Sequence, residues 1–359
     1  MSDVASRATT ASGWRAHPLA QLTLVRFREF MREPEAVFWV FVFPVLLAAG
    51  LGIAFRNRPP ERAPVAVVAS LPDGDRIAAA LGEDDRLLVR ELDEAAAKRA
   101  LTAGTVDLVV LPGGPGRAEY RYDELRPEGR SARLLADDAL QRASGRQDPV
   151  STADTHVSEP GARYIDFLVP GLLGMNLMGS GIWGIGFAIV DARRKKLLKR
   201  LVATPMSRPQ YLASFLLSRL AWLVAEVVLF LGFAMLAFGV PARGSVLSLA
   251  AICVLSSLAF ASIGVLLASR ARTVEGVSGL MNLTMLPMWI FSGVFFSASR
   301  FPEAIQPLIK ALPLTSVNDA LRASMLQGEG LPQLAPELAV ITGWLVLSFP
   351  LAVRLFRWK

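Results

Sequence analysis

The chain has 359 residues, 53% of them hydrophobic and 19% charged, with a mean hydropathy of +0.42. Soluble domains run at about 45–50% apolar and about 25% charged, so a chain this apolar, with its apolar residues gathered in long runs, is read as an integral membrane protein. One cysteine, Cys253, excludes an internal disulfide, and two distant histidines, His17 and His156, offer no zinc-type spacing.

The formal charge of +7 is unevenly placed. Residues 55–160 hold 15 Lys/Arg against 19 Asp/Glu, whereas the rest of the chain holds 23 against 12. Residues 1–35 form a basic lead. Within it, 17–33 places Leu19, Leu22, Val25, Phe27 and Phe30 among Arg26, Arg28 and Arg32, the pattern of a helix lying along a membrane surface. Pro34 ends that helix and turns the chain into the first apolar run, 36–55. The run begins farther from the start than a secretory signal would, so it is expected to stay as transmembrane helix 1.

Residues 56–160 are of another kind. PVAVVAS, RLLVREL, TVDLVVLP and AEYRYDEL are strands; DGDRIAAALG, DEAAAKRALTAG and RSARLLADDALQRA are helices, the second opened by Asp93 and closed by Gly104. Alternating β and α predict an inserted α/β domain with a polar linker at 143–160.

Residues 161–359 supply five further apolar runs at 164–190, 213–239, 246–268, 276–296 and 337–356, making six spans with the first. A bilayer core of about 30 Å asks for about 20 residues of helix. Pro44 and Pro287 kink their spans, which neighbouring helices in a bundle absorb. The stretch 297–335 is too polar to span and too apolar for a free loop, and is expected as re-entrant or external helices packed on protein. Between spans two and three, 191–205 crowds Arg193, Arg194, Lys195, Lys196, Lys199 and Arg200 together before Thr204 and Pro205, and KKLLKRLV has helical spacing. Lys/Arg in short loops set orientation. The lead, the 191–212 loop, Arg270 with Arg272, and the tail with Arg354, Arg357 and Lys359 then all face the cytoplasm, both termini included, and the acidic insert lies outside. On this ground alone the 191–205 cluster serves equally as an orientation signal, a lipid-headgroup contact or a handle for a cytoplasmic partner.

Polar residues inside spans are costly and mark either function or a structural interhelical bond. Glu226 is the only acid in span three; Asn176 in span two, and Asn282 and Thr284 in span five, pose the same choice. Asp319 and Arg322, one turn apart, suggest a local pair. Span two is rich in glycine, and Ser180 with Gly184 permits close helix approach, within one subunit or across a dimer axis. Met281, Met285, Met288, Trp289 and Phe291 give span five a soft face suited to an apolar path or to a core.

The amphipathic lead helix, the long insert after span one, KRLVATPMSRPQYLASFLLSRL, and SGVFF…FPEAIQPLIKALPLTSVNDALRA together resemble the type-2 ABC transporter permease family, over nearly the whole membrane portion. The resemblance implies an exporter-type permease built as a dimer of six-span halves. It further implies a cytoplasmic coupling helix at 191–205 docked on a separate ATPase, with the 17–33 helix touching the same partner. Arg193, Arg194, Lys195, Lys199, Arg200, Thr204 and Pro205 take the coupling position, Arg194 and Arg200 foremost; Lys196 and Lys199 stand where glycine and glutamate are common in the family. In the family spans two and five line the central cleft, so Asn176, Asn282, Met285 and Trp289, with Glu226 of span three as a further candidate, are expected along the path of an amphipathic or lipid-like cargo, and Ser180 and Gly184 at a dimer contact. ATP and Mg are expected on the partner subunit: G-x-x-x-x-G-K-[ST] does not occur, and the GGPG turn at Gly113 lacks the lysine and hydroxyl that cradle phosphates. No catalytic, cofactor-binding, metal or nucleic-acid site is expected in this chain. The implied location is the cell membrane, multi-pass. Two other classes remain open at the level of sequence: an ion-driven secondary transporter, for which Glu226 is the one midplane candidate, and a non-transporting scaffold whose insert binds an envelope partner.

Overall fold

A computed structural model describes residues 18–56, 62–114, 116–147, 150, 161, 163–197, 207–271 and 273–356. The chain divides into two compact units, 57–156 and the remainder.

The 57–156 unit is a four-stranded sheet of β1 (Ala63–Val68), β2 (Leu87–Leu92), β3 (Leu108–Pro112) and β4 (Ala118–Arg121), in the order β2-β1-β3-β4. The first three strands are parallel and β4 runs antiparallel to β3. Side chains alternate across a strand, so β1 and β3 supply two cores. Val65, Val67, Leu108 and Val110 bury one face with Ala78, Leu81, Ala132 and Ala136; Ala66, Val68, Val109 and Leu111 bury the other with Ala97 and Val106. The covering helices are α3 (Gly74–Gly82), α4 (Glu94–Thr102) and α5 (Pro127–Ala143). The Asp93 carboxylate accepts the Ala96 N–H at 2.6 Å and caps α4 as the sequence suggests.

The larger unit begins with α1 (Pro18–Met31) and a continuous helix α2 whose segments are Pro34–Val37, a π turn at Phe38–Val42, and Phe43–Arg56. Then come α6 (Tyr164–Arg194), α7 (Arg208–Phe238), α8 (Val246–Ala268) and α9 (Val274–Phe291). Two short helices, α10 (Gln306–Ala311) and α11 (Pro313–Arg322), lead to α12 (Ala335–Leu355). Among the described residues five helices are long and apolar enough to cross a membrane: α2, α6, α7, α8 and α12. The sixth expected span, α9, is 18 residues long and carries Glu275, Asn282, Thr284 and Pro287, which keep it out of that set.

The bundle is organised around α6 and α8, each buried over 61% of its most apolar window, against 22%, 28% and 17% for α2, α7 and α12. Their close approach rests on glycine: a Cβ added at Gly264 would stand 2.8 Å from the Gly181 carbonyl and 2.9 Å from that of Ile182. Between 297 and 335, α11 has Pro313 to Asn318 all buried, against α6, α8 and α12. Asp319 and Arg322 do approach, at 3.8 Å.

The lead helix departs in one respect from a purely surface-lying element. Arg26, read as part of its polar face, turns inward over the Phe215 ring at 3.2 Å and donates to Ser214 Oγ at 3.0 Å. Phe27 stacks on Trp222 at 4.2 Å, leaving Leu24, Val25 and Met31 exposed. The helix therefore has an inner face bonded to α7 as well as an outer apolar one.

Candidate functional site

The most concentrated chemistry in the bundle starts from a proline. Pro44 has no N–H, so the Val40 carbonyl four residues before it loses its α-helical donor. The helix answers with the π turn at Phe38–Val42, and the Phe43 N–H reaches back five residues to the Phe38 carbonyl. A side chain from another helix takes the abandoned acceptor: Asn176 Nδ2 of α6 donates to the Val40 carbonyl at 3.3 Å. The same amide nitrogen donates to Glu226 Oε1 of α7 at 2.8 Å.

Glu226 is 1% exposed, and a carboxylate so buried needs partners. Arg219, 7% exposed, lies seven residues earlier on α7 and therefore on the same face; its Nη2 is 2.5 Å from Glu226 Oε2. Arg219 also donates to Ser180 Oγ at 2.6 Å. Ser180 has the Asn176 carbonyl at 2.6 Å and Glu226 Oε1 at 3.1 Å as acceptors for its own proton. Three helices are thus joined by one polar cluster: Val40 on α2, Asn176 and Ser180 on α6, Arg219 and Glu226 on α7. Arg219 was not among the residues expected from sequence; its spacing of two full turns from Glu226 was the available signal.

The other residues expected along the path do not join this cluster. Met285 is buried with Val277, Met281 and Met288 on the face of α9 that meets α6, Trp289 is half-buried, and Asn282 is exposed. Ser180, expected at a dimer contact, is bonded inside the chain as above. Gly184, one turn on, is exposed, with open space where a Cβ would be.

At the opposite end of α6 the cationic stretch resolves into different roles. Asp191 to Arg194 continue α6, so they are the end of span two and not yet a separate coupling helix. Arg193 lies on the buried side. It donates to the carbonyls of Ala268 at 3.1 Å and Ser269 at 3.2 Å and to that of Ala271, and sits 5.6 Å from the Phe356 ring centroid. It therefore satisfies the end of α8, where helix carbonyls lack donors and a cation is favoured. Arg194, Lys195 and Lys196 are exposed, Lys195 paired with Asp191 at 2.6 Å. Lys196 has φ +58°, which breaks the helix there. Lys199, Arg200, Thr204 and Pro205 lie outside the described residues.

At the end of the bundle where α6 begins, Tyr164 and Phe167 face Phe295, Phe296, Ser297 and Arg300 around an open cavity of about 440 Å³. Tyr164 donates its hydroxyl proton to the Phe295 carbonyl at 2.7 Å. Behind Phe167, the Arg322 guanidinium of α11 stacks 3.7 Å from the ring centroid and donates to the carbonyls of Phe167, at 3.3 Å, and Gly293.

Several long apolar helices joined by a buried ion pair and its hydrogen bonds define a polytopic α-helical membrane protein. Residues 35–354 match the profile of the ABC-2 family transporter proteins, and the chain belongs to that family. It is 27% identical over 203 residues to nodulation protein J of Bradyrhizobium diazoefficiens, covering 55% of this chain and 75% of that protein. Against nodulation protein J of Rhizobium meliloti the identity is 25% over 201 residues, with the same coverage. It is also 26% identical over 220 residues to ABC transporter G family member 20 of Dictyostelium discoideum; the match takes in 60% of this chain but spans only 30% of that protein.

Proposed function

We propose that this chain is the membrane permease subunit of an ATP-binding cassette exporter. The observation that carries the reading is the family match across 35–354, which takes in nearly all of a sequence with no phosphate-cradling motif of its own. ATP and Mg then belong to a separate cytoplasmic ATPase. The exposed side chains of Arg194, Lys195 and Lys196 at the cytoplasmic end of α6, with the rest of 191–205, offer that partner a cationic docking site. Arg193 is occupied at the end of α8 and contributes to its placement instead. In this reading α9 is the sixth span. Its exposed face, with Asn282, meets a second permease copy or a similar chain across a cleft, and Gly184 leaves room for close approach. Both termini lie in the cytoplasm and the α/β insert outside it. The cargo is amphipathic or lipid-like, in keeping with the apolar walls such a cleft would have.

The test is co-expression with a candidate P-loop ATPase subunit from the same genome. The two should co-purify, the complex should move an amphipathic dye into inverted vesicles only with ATP, and Arg194→Glu combined with Arg200→Glu should abolish both. Full binding and transport in that double variant would remove the docking assignment. Uptake that ignores ATP and follows an ion gradient would overturn the exporter reading in favour of an ion-driven carrier.

A further inference from the structure

The cavity at the start of α6 is open to solvent and lined mostly by aromatic side chains, with one cation, Arg300. At about 440 Å³ it falls within the range of small-molecule pockets, about 300–1,000 Å³. Its walls come from two segments distant in sequence: the first turn of α6, with Tyr164 and Phe167, and the loop after α9, with Phe295, Phe296, Ser297 and Arg300. Tyr164, Phe295 and Phe296 are 38%, 36% and 37% exposed, so each ring keeps part of its surface open at the cavity.

The wall is tied together by contacts within the chain. The Tyr164 hydroxyl is bonded to the Phe295 carbonyl at 2.7 Å, Arg322 fixes Phe167 from behind, and Gly293, at φ +71°, turns the chain out of α9 into the aromatic pair. Phe296 is braced by Phe301, its centroid 5.8 Å away. Arg322 already has the Asp319 carboxylate at 3.8 Å. Arg300, by contrast, is exposed and forms no ion pair among the described residues. An unpaired guanidinium at the mouth of an aromatic cavity is complementary to a ligand with an apolar or aromatic body and an anionic head.

We propose that this cavity is a subsite for an anionic amphiphile, its apolar part against Tyr164, Phe295 and Phe296 and its carboxylate, sulfonate or phosphate on Arg300. The assignment rests on the exporter reading above and narrows its cargo class: Tyr164 opens span two at the end remote from the 191–205 loop, so the site receives cargo on the exit side. The anionic head suits a guanidinium there because a cationic cargo would be repelled at the same point.

The test uses the full chain, purified into phosphatidylcholine nanodiscs, and two probes of one skeleton: 11-(dansylamino)undecanoate and the trimethylammonium analogue that replaces its carboxylate. The anionic probe should bind at least tenfold more tightly than the cationic one. Arg300→Glu should reverse or erase that preference, Arg300→Lys should keep most of it, and Phe296→Ala should weaken both probes alike. Among the described residues the Arg300 side chain makes no ion pair, and its backbone bond to Ser297 is kept in every variant, so its variants report on binding. An anion preference that survives Arg300→Glu would overturn the site. Displacement of the anionic probe by adding phosphatidylglycerol to the discs would assign the site to bilayer lipid and overturn its role for cargo. The two readings fail separately. Binding that behaves as expected without ATP-driven export would sink the exporter assignment alone. Export of the anionic probe at an unchanged rate in Arg300→Glu would sink the subsite alone.

Discussion

Arg219 and Glu226 stand two helical turns apart on one face of α7 and close on each other at 2.5 Å inside the bundle. The pair is isolated from water, with Glu226 1% and Arg219 7% exposed. Removing one member of a buried pair strands the other charge, at a cost of about 3–5 kcal/mol, whereas replacing both by apolar groups of similar size is often neutral. Glu226→Ala is therefore expected to lower the unfolding temperature of the purified protein sharply, and Arg219→Met with Glu226→Leu to recover most of the loss. A double variant less stable than the single would show that the pair is not held as a unit.

Asn176 and Pro44 are coupled through the Val40 carbonyl. Asn176→Leu removes the donor to Val40 and one to Glu226. Interhelical hydrogen bonds in membranes are worth about 0.6 to about 2 kcal/mol, and the loss here is expected at the upper end. Pro44→Ala restores an N–H four residues after Val40 and allows the π turn to relax toward α. In the Pro44→Ala background, Asn176→Leu should cost less. A double-mutant cycle on thermal stability measures the coupling, and a zero coupling energy would separate the proline from the asparagine.

The apolar runs made the helices legible, because nothing else places about 20 residues of low polarity in a row. The strands and helices of 57–156 fall where turn residues and caps separate them in the sequence. What the sequence hid was phase within charged or polar stretches. Arg193 and Arg194 look equivalent in DARRKK, yet only Arg193 continues the buried face of Ile182, Ile185 and Ile189 at spacings of three and four. Arg219 reads locally as one more cation near a span's end, and only its two-turn spacing from Glu226 places it on the buried face. The contact between Asn176 and Val40 joins residues 136 apart, and no local pattern announces it.

That phase difference predicts different phenotypes for adjacent arginines. Arg193→Ala leaves the carbonyls of Ala268, Ser269 and Ala271 without their guanidinium and should lower stability by about 1–3 kcal/mol. Arg194→Ala, at an exposed position, should stay within about 0.5 kcal/mol of the parent while reducing ATPase co-purification. Thermal unfolding beside a pull-down separates the two; equal stability losses would place Arg194 inside the fold.

The insert carries its own pH dependence. Arg86 reaches Asp84 at 2.6 Å and Asp138 at 2.9 Å, and Arg146 reaches Asp138 at 2.5 Å, tying α5 to the turn before β2. The Arg86 guanidinium holds the Asp84 carboxyl below the usual carboxylate range, and Arg86 with Arg146 and Arg142 holds Asp138 well below it. Unfolded aspartates take up protons near pH 3.9, and in the fold both carboxyls do so only at lower pH. The unfolded state then binds more protons, so the contribution is complete above about pH 4 and is lost as pH falls through the depressed folded values. Hydrogen exchange of peptides from 127–143 in the full chain, corrected for intrinsic rates, should show protection steady from pH 7 to 5 and falling below pH 4. Asp138→Asn should flatten that fall; an identical profile would remove the ion cluster as its cause.

Gly264 and Gly184 test where the close helix contacts are. A methyl at Gly264 meets backbone, the carbonyls of Gly181 and Ile182 at 2.8 and 2.9 Å, and neither can rotate away. Overpacking of this kind costs about 1–3 kcal/mol, so Gly264→Ala should destabilise the protein by moving α8 off α6. Gly184 meets nothing within 4 Å, and Gly184→Ala should leave the stability of the single chain unchanged. If the open face at Gly184 belongs to a second copy, Gly184→Trp fills it. Size-exclusion with light scattering should then report a loss of dimer at a preserved unfolding temperature. A dimer that persists in Gly184→Trp moves the contact to another face, with the exposed side of α9 around Asn282 as the next to examine.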